Sequence, residues 1–333
     1  MYYNIEYIYL KKKRMCRILS DKTNSIKLVR EIIDEVKKAV IGKDTVIIKI
    51  LLAILSKGHI LMEDIPGVGK TTMALSFSKV LSLDYNRVQF TPDVLPTDVT
   101  GFTVYNKNTG NFEYRPGASM CNLLLADEIN RTSSKTQSAL LEIMEEGRVT
   151  VDGTTHELPK PFIVIATQNP IGSVGTQALP ESQLDRFMIK LSMGYPDLVS
   201  EVEILKAKSS YNPLDYVNAV VNAEDLQILQ QEAEKVYVDD KIYNYIVRLA
   251  NATRNHQMIN LGISPRGALA LMSISKATAL LKGRDYVIPD DIAYVLNDVF
   301  AHRLILNSNA RISNLSAEQI LDEIFRSVSQ PQL

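Results

Sequence analysis

The sequence predicts an α/β fold in which a parallel five-stranded sheet, with helices on both faces, is followed by a smaller all-helical part. Over roughly the first two thirds of the chain, short apolar runs alternate with helical patterns, as in parallel strands joined by helical crossovers. Two of the runs, Leu123–Ala126 and Pro161–Ala166, are almost continuously apolar, as strands buried on both faces require. After Met193 only helical patterns are evident.

Composition narrows the classes of function. The 333 residues carry 37 Lys and Arg against 38 Asp and Glu, so no basic field favours bulk binding of nucleic acid. Two cysteines, Cys16 and Cys121, are too few for a disulfide framework. No apolar stretch is long enough for a membrane span. The apolar N-terminal residues precede the basic run Lys11–Arg14, which is the wrong order for a secretory signal, so we expect a cytoplasmic protein. Residues 1–22 are apolar and then basic, which predicts a disordered leader or, alternatively, a surface anchor.

The elements follow in order from about residue 25. Apolar residues at helical spacing from Ile26 to Val40 predict an amphipathic helix, and Asp44–Lys57 predicts a second one. His59–Glu63 reads as a strand that enters a Gly and Pro turn, after which a helix starts at Thr71. The later predicted elements are strands at Arg87–Thr91, Leu123–Ala126, Pro161–Ala166 and Met188–Leu191, and helices at Ser134–Glu146 and Ser182–Phe187.

Two hairpins interrupt this alternation, at Phe102–Tyr114 and Gly147–Leu158. The second contains Asp152-Gly153, which suits a type I′ turn. We place a domain boundary near 193–196, which separates a sheet domain at 23–195 from a helical domain at 196–333. Helices are predicted in the second domain near 197–208, 223–234, 240–256, 265–282, 289–303 and 316–328.

A glycine-rich loop follows the first predicted strand. In the run from Asp64 to Thr71, Gly67 and Gly69 allow the backbone to wrap a phosphate chain. Lys70 would reach the β- and γ-phosphates, and the Thr71 hydroxyl would hold Mg²⁺. The pattern normally begins with Gly where this chain has Asp64, and the simple alternative is an accidental glycine loop. The predicted nucleotide contacts also include Pro66, Val68 and Thr72.

Two adjacent carboxylates end the apolar run at Leu123–Ala126. Asp127 is predicted to hold Mg²⁺, directly or through water, and Glu128 to orient and polarise the attacking water. The alternative is an acidic helix start, since Asn130 and Thr132 follow. Together with the glycine loop upstream, the pair favours catalysis.

Three further runs occur in a fixed order: Leu125–Arg131, Lys135–Glu142 and Ala166–Pro170. With the glycine loop they resemble the MoxR family of AAA+ ATPases, and the resemblance covers roughly residues 25–330. It implies an AAA+ nucleotide-binding domain with a helical lid, ATP bound between them, and Mg²⁺-dependent hydrolysis of the γ-phosphate bond.

The resemblance also implies roles for single residues. Asn169 matches a polar sensor near the γ-phosphate, and Arg186 matches the arginine finger that acts on a neighbouring subunit. Arg266, at the start of a lid helix, matches a second sensor that touches the phosphates. Ile41 and Gly42 match the loop that contacts adenine. The simpler alternatives are a turn-forming role for Asn169 and a surface ion pair for Arg186. For Arg266 the alternative is an ordinary helix start, and for Ile41 and Gly42 it is a helix stop.

An arginine acting in trans implies a head-to-tail ring of subunits, and the family resemblance implies that the ring is a hexamer. The resemblance implies chaperone-like remodelling or maturation of protein clients, or insertion of a metal cofactor, with a partner bearing a von Willebrand factor A domain. The hairpins would then face a central pore, with ordinary hairpin packing as the alternative. The candidate client contacts are Tyr105, Asn108, Phe112, Tyr114 and Val151.

Two rival functions remain at this stage. A motor acting on nucleic acid predicts basic hairpin tips, but the first tip carries only Lys107 and the second carries Asp152 without a basic residue. We therefore expect no nucleic-acid partner. A nucleotide-controlled binding module that does not hydrolyse ATP would have no need of Glu128, which is present.

Overall fold

A computed structural model of the chain describes residues 22–65, 67–169, 179–210 and 212–332. The expected leader, apart from its last residue, and Pro66 of the glycine loop lie outside the described residues.

A central parallel sheet of five strands has the order β2-β5-β8-β1-β9. The predicted fold class is confirmed, with helices on both faces of this sheet. The strands of the sheet and of the two inserted hairpins are β1 Ile60–Glu63, β2 Tyr85–Gln89, β3 Gly101–Asn106, β4 Asn111–Pro116, β5 Leu123–Asp127, β6 Arg148–Val151, β7 Thr154–Glu157, β8 Ile163–Gln168 and β9 Ile189–Leu191.

Two strands differ from their predicted bounds by two residues at each end, for physical reasons. β2 begins and ends two residues earlier than predicted, because it is an edge strand with only partial burial and a weak apolar pattern. β8 continues through Thr167 and Gln168, which are polar but buried. An apolar pattern cannot detect buried polar residues at the end of a strand.

The sheet separates two hydrophobic cores. On β5, Leu123 and Leu125 face one core, whereas Leu124 and Ala126 face the other. Because successive side chains of a strand point to opposite faces, burial of both faces explains the unbroken apolar run. The first core is continuous with the helices that follow the sheet.

Helices cover the sheet and build the second part of the chain. None of those in the described ranges combines the length and apolar character needed to cross a bilayer. Their bounds are α1 Lys22–Lys37, α2 Asp44–Leu55, α3 Lys70–Val80, α4 Pro96–Thr100, α5 Ser134–Glu146, α6 Glu181–Leu184, α7 Leu198–Ser210, α8 Ala223–Glu234, α9 Asp240–Arg254, α10 Pro265–Leu281, α11 Pro289–Phe300, α12 Ser308–Ile312 and α13 Ala317–Ser327.

The expectation of no strands after Met193 is wrong at one small ribbon. β10, Ile259–Leu261, pairs antiparallel with β11, Ile305–Leu306. Strands of two or three residues are too short to produce a recognisable alternation. The ribbon lies among helices that pack on the rest of the chain, with α8 and α10 against α2, and α11 against β9.

Both hairpins form as predicted. β3 pairs with β4, and β6 pairs with β7 through a turn in which Asp152 and Gly153 have φ of 48° and 78°. Positive φ at both central residues is the type I′ geometry that this pair favours. The Tyr114 ring of the first hairpin stacks on His156 of the second, with centroids 3.8 Å apart.

Candidate nucleotide-binding site

The glycine loop joins the carboxyl end of β1 to the start of α3. Gly67 and Gly69 have φ of 89° and 98°, a region that side-chain-bearing residues rarely adopt. The loop leads directly into Lys70, the first residue of α3. The unpaired N–H groups of that first helical turn make an anion-binding position, as a phosphate would require.

Lys70 is only 8% exposed, and its Nζ donates a hydrogen bond to the backbone carbonyl of Asp64, 2.9 Å away. The ammonium is thus held across the loop. Thr71 and Thr72 occupy the first turn of the same helix and are partly buried. Val68 packs against the first core. The predicted phosphate contacts from Gly67 to Thr72 therefore lie on this loop and the first turn of α3.

Asp64 has a role that the motif did not predict. Its buried carboxylate accepts hydrogen bonds from Ser192 Oγ at 2.8 Å, Met193 N at 2.6 Å and Gly194 N at 3.0 Å. The departure from the usual Gly therefore ties the start of the loop to the segment that follows β9. A glycine at position 64 would lack these three bonds.

The turn at Ile41 and Gly42 is connected to the same segment. Lys43 Nζ donates to the carbonyls of Met193 and Tyr195, at 2.6 and 2.8 Å. Gly42 has φ of 70°, and a Cβ placed there would lie 2.2 Å from Ser200 Oγ on α7. A side chain at this turn would therefore collide with α7.

The two predicted catalytic carboxylates lie at the end of β5. Asp127 is buried; Thr167 Oγ1 donates to its Oδ1, and Arg87 Nη2 donates to its Oδ2 at 2.7 Å. Glu128 follows in a left-handed backbone conformation with φ 57° and ψ 46°. Its N–H donates to Thr167 Oγ1 at 2.9 Å, so one hydroxyl organises both acidic residues.

Asn169, just after β8, reaches Glu128. Its Nδ2 donates to Glu128 Oε1 at 3.2 Å. Asn130 clamps the backbone of Asn169 with two hydrogen bonds, of 3.1 and 3.3 Å. The Asn169 Oδ1 is buried and has no hydrogen-bond partner within the described part of the chain. A buried acceptor beside a carboxylate fits an ordered water molecule between the two side chains.

The oxygen donors present fit a Mg²⁺ ion bound together with a nucleotide. Asp127 has about four acceptor positions and uses two of them, and the Thr71 hydroxyl would supply a second oxygen ligand. Among the described residues no group of three His, Cys, Asp or Glu side chains is arranged to hold a metal. The set therefore suits an ion that also takes ligands from phosphate and water.

Arg186 and Arg266 converge elsewhere, on Glu145 near the end of α5. Arg266 donates a short hydrogen bond to the Glu145 carboxylate, and Arg186 Nε lies 3.9 Å from the same oxygen. Arg186 also donates to the carbonyl of Leu141. The hydrogen bond from Arg266 lowers the pKa of Glu145 despite opposing desolvation.

This arginine pair lies at the opposite end of β1 from the loop. His59 directly precedes β1, and its Nε2 is 3.0 Å from the carbonyl of Met144, next to Glu145. The loop leaves the other end of the strand, about 10 Å further along. Because α10 begins beside the end of α5, Arg266 lies with Glu145 at the amino end of β1 and not beside the glycine loop.

Sequence reasoning missed three polar residues at the site: Arg87 on β2, Arg131 after β5 and Thr167 on β8. Arg131 Nη1 lies 2.8 Å from Glu128 Oε2. Their positions could have indicated them, because polar residues near the carboxyl ends of neighbouring parallel strands meet at one edge of the sheet. Neighbouring strand order, which identifies these partners, is not visible in the sequence.

The predicted client contacts divide into two groups. Tyr105 and Phe112 are 54% and 75% exposed and form an edge-to-face pair at 5.3 Å, and Asn108 is exposed near the tip. Tyr114 instead stacks on His156 and donates to the carbonyl of Thr100 at 2.6 Å. Val151 is partly buried.

Comparison with known proteins finds matches over most of the chain. Residues 59–189 match the model of the ATPase family associated with various cellular activities (AAA), and residues 251–324 match the AAA lid domain. Uncharacterized protein YeaC of Bacillus subtilis is 49% identical over 304 residues, covering 91% of this chain and 95% of the relative. Chaperone MoxR1 of Mycobacterium tuberculosis is 39% identical over 308 residues, covering 90% and 81%. A crystal structure of a Cytophaga hutchinsonii protein, 39% identical, has a TM-score of 0.88 and covers 97% of this chain and 100% of that one.

Proposed function

The chain belongs to the MoxR family of AAA+ ATPases, and on that premise we propose that it hydrolyses ATP in a Mg²⁺-dependent reaction. One observation carries the proposal. The glycine loop with Lys70 and the side chains of Asp127, Glu128 and Asn169 meet at the carboxyl edge of three adjacent strands, β5, β8 and β1. This is the edge at which open α/β sheets bind their ligands.

The residues divide the work of hydrolysis. Water held between Glu128 and the Asn169 Oδ1 attacks the γ-phosphorus while Glu128 accepts its proton. The bond between the γ-phosphorus and the bridging oxygen breaks, and ADP leaves. Lys70 offsets charge on the β- and γ-phosphates, and Thr71 and Asp127 would hold Mg²⁺. When bound, the ion neutralises charge on the phosphate oxygens.

The site is completed by a neighbouring subunit in this proposal. Arg186 and Arg266 share Glu145 at the far end of β1, so neither serves the loop of its own chain. A head-to-tail arrangement presents them to the next subunit, and closure of that arrangement gives a ring, which we take to be a hexamer. The expectation for Arg266 therefore changes from the same chain to the neighbour.

We propose that the client on which the ATPase acts is a protein. The similarity to a protein named Chaperone MoxR1 supports remodelling or maturation of a client, or insertion of its metal cofactor. The exposed pair of Tyr105 and Phe112 offers an apolar contact for polypeptide, and Lys107 is the only basic residue at that tip. We further propose that the protein acts in the cytoplasm and that it has a partner with a von Willebrand factor A domain.

The domain boundary belongs to the same proposal. A sheet domain at 23–195 and a lid at 196–333 agree with β9 ending at Leu191 and with the lid match at 251–324. The turn at Ile41 and Gly42 would contact adenine, because it packs beside α7 and shares the 193–195 segment with the loop.

Binding and hydrolysis can be separated by two substitutions. Lys70→Ala should weaken ATP binding by about 100-fold, because a buried cation at the phosphates is lost. Glu128→Gln should retain ATP binding and slow hydrolysis by about 100-fold or more, as loss of a general base does. A fluorescent ATP analogue measures binding, and phosphate release measures turnover.

The matched control is Lys79→Ala on the same helix. Lys79 is exposed and donates to the carbonyl of Leu214, away from the loop. The Lys79→Ala variant should bind and hydrolyse ATP as the unmodified chain does. Unchanged affinity of the Lys70 variant, or unchanged turnover of the Glu128 variant, contradicts the proposed site.

A further inference from the structure

The Asp185 carboxylate is shared by two groups from the second part of the chain. Asp185 directly precedes Arg186 and is the C-cap residue of the short helix α6. Its Oδ2 accepts a hydrogen bond from Ser264 Oγ at 2.9 Å, and its Oδ1 accepts one from Arg303 Nε at 2.7 Å. These partners lie 79 and 118 residues further along the chain. The proposed reaction uses Arg186 but gives no role to Asp185.

Arg303 fixes the backbone on both sides of Arg186. Its side chain is only 3% exposed, and its guanidinium donates to the carbonyls of Asp185, Phe187 and Met188. Burial lowers the pKa of Arg303, and the Asp185 carboxylate opposes that shift. Because a buried cation is stable only with its partners in place, the main chain that carries Arg186 is held at a fixed point.

The same groups place the first turn of α10. Ser264 is the N-cap of this helix, and its Oγ also accepts from Gly267 N at 3.1 Å. A Cβ at Gly267 would lie 3.0 Å from Arg303 Cδ, so the helix packs directly on the stem of that arginine. Arg266 lies within this first turn. The helix that carries Arg266 is therefore positioned by partners of the Asp185 carboxylate.

We propose that Asp185 is a positioning residue that couples Arg186 to Arg266, so that the two arginines reach a neighbouring nucleotide as one unit. The inference rests on the proposed action of both arginines on the next subunit. Their side chains are 31% and 43% exposed and can reorient, whereas their main-chain positions are fixed relative to each other. Loss of the coupling misplaces both cations, which lowers kcat without weakening ATP binding at the loop of the same chain.

Asp185→Asn is the direct test, because it keeps the shape of the side chain and removes the charge. In the assembled full-length protein, kcat for ATP should fall about 10- to 100-fold, as expected when catalytic groups are misplaced by about 1 Å. Affinity for a fluorescent ATP analogue should stay unchanged. Mixed with Glu128→Gln subunits, the variant should regain phosphate release, because its own loop and acidic pair are intact. A general folding defect would not be rescued in this way.

Ser264→Ala covers the case in which the Asp185 variant folds poorly, because it leaves the pair with Arg303 intact. Its kcat should fall about tenfold. Ser264→Thr, which keeps a hydroxyl, should restore kcat. In a chain that already carries Arg266→Ala, the Ser264→Ala substitution should cause no further loss, since the side chain that it positions is absent.

The matched control is Ser316→Ala. Ser316 also caps a helix, α13, where it accepts from Gln319 N at 3.2 Å, but it is exposed and has no contact with Asp185. Loss of this cap should leave kcat unchanged. Unchanged kcat of folded Asp185→Asn or Ser264→Ala would overturn the proposal, as would weaker ATP binding or failed rescue of Asp185→Asn. Unchanged kcat of Arg186→Ala would instead remove the proposed action of the arginines themselves.

Discussion

The two ends of β1 are built by different means. At the carboxyl end, the backbone and buried groups define the geometry: two glycines of positive φ, the buried tether of Asp64 and the hydroxyl of Thr167. At the amino end, the side chains of Arg186 and Arg266 meet on one carboxylate, and all three are partly exposed. The carboxyl end is held by backbone conformation and buried groups, and the amino end by long, partly exposed side chains.

This difference separates two kinds of work. A preorganised backbone is suited to binding phosphates without reorganisation, because its N–H groups are already aimed at the ligand. Long cationic side chains are suited to reaching across to another molecule. In the proposed ring each end supplies only part of a hydrolytic site, and a complete site would combine the carboxyl end of one chain with the amino end of another.

The largest expected effect tests this division by complementation. Arg186→Ala should lower kcat by about 1,000-fold, the range seen when an arginine finger is lost. Mixed with Glu128→Gln subunits it should regain hydrolysis, because some interfaces combine an intact Glu128 with an intact Arg186. Arg266→Ala should be rescued in the same way. Phosphate release is measured against the mixing ratio, with its maximum near equal amounts.

Residues from the same end provide the control for this experiment. Asn169→Ala mixed with Glu128→Gln should stay inactive at every ratio, since no interface then contains both side chains from one chain. Failure of Arg266→Ala to be rescued would place Arg266 with the loop of its own chain. Rescue of the Asn169 mixture would show that Asn169 and Glu128 of one chain do not serve the same site, and either result removes the distinction between the two ends.

A smaller effect is expected from Asp64→Gly, which restores the usual first residue of the loop pattern. If only the match to the loop pattern mattered, the Asp64→Gly variant would bind ATP at least as tightly as the unmodified chain. We expect instead about tenfold weaker binding and a loss of about 3 kcal/mol in the free energy of unfolding, because three hydrogen bonds to a charged group disappear. Calorimetric ATP titration and urea unfolding measure the two quantities, and tighter binding would refute the tether.

The smallest effect concerns the pH dependence of stability at the amino end. Loss of water around the ring lowers the pKa of His59 to about 4, and the charge of Arg266 adds to this. Between pH 6.5 and 4 the unfolded chain binds the proton more readily, so stability falls as the pH falls. At pH 5 the loss amounts to about 2 kcal/mol relative to pH 7.

Substitution isolates this contribution. Between pH 7 and pH 5 the His59→Gln variant should lose less stability than the unmodified chain. The slope of the free energy of unfolding against pH, measured by urea unfolding at each pH, should differ by the equivalent of up to one bound proton. His302, whose pKa burial lowers well below its ordinary value, remains in both proteins and contributes to the slope that is left. Parallel stability curves for the two proteins would show that His59 is not held neutral.

Much of the carboxyl end could be predicted because its determinants are local. The glycine loop and the apolar run ending in Asp127 and Glu128 each depend on neighbours within a few residues, as does the Asp152-Gly153 turn of the second hairpin elsewhere in the chain. The partners of Asp64 could not be predicted, since Met193 and Gly194 lie about 130 residues further along the chain. The same holds for Arg87 and Asp127, which meet only because β2 and β5 are adjacent.

The sequence by itself determined the alternation of strands and helices, the phosphate-binding loop and the acidic pair, because backbone conformation and side-chain periodicity are short-range properties. Only the tertiary structure decided where the arginines lie. Arg266 follows Ser264-Pro265 at an ordinary helix start, and nothing local distinguishes a position over its own loop from one beside Glu145. That choice depends on how α8, α10 and α11 pack on α2 and β9, which is settled by burial of surfaces far apart in the chain.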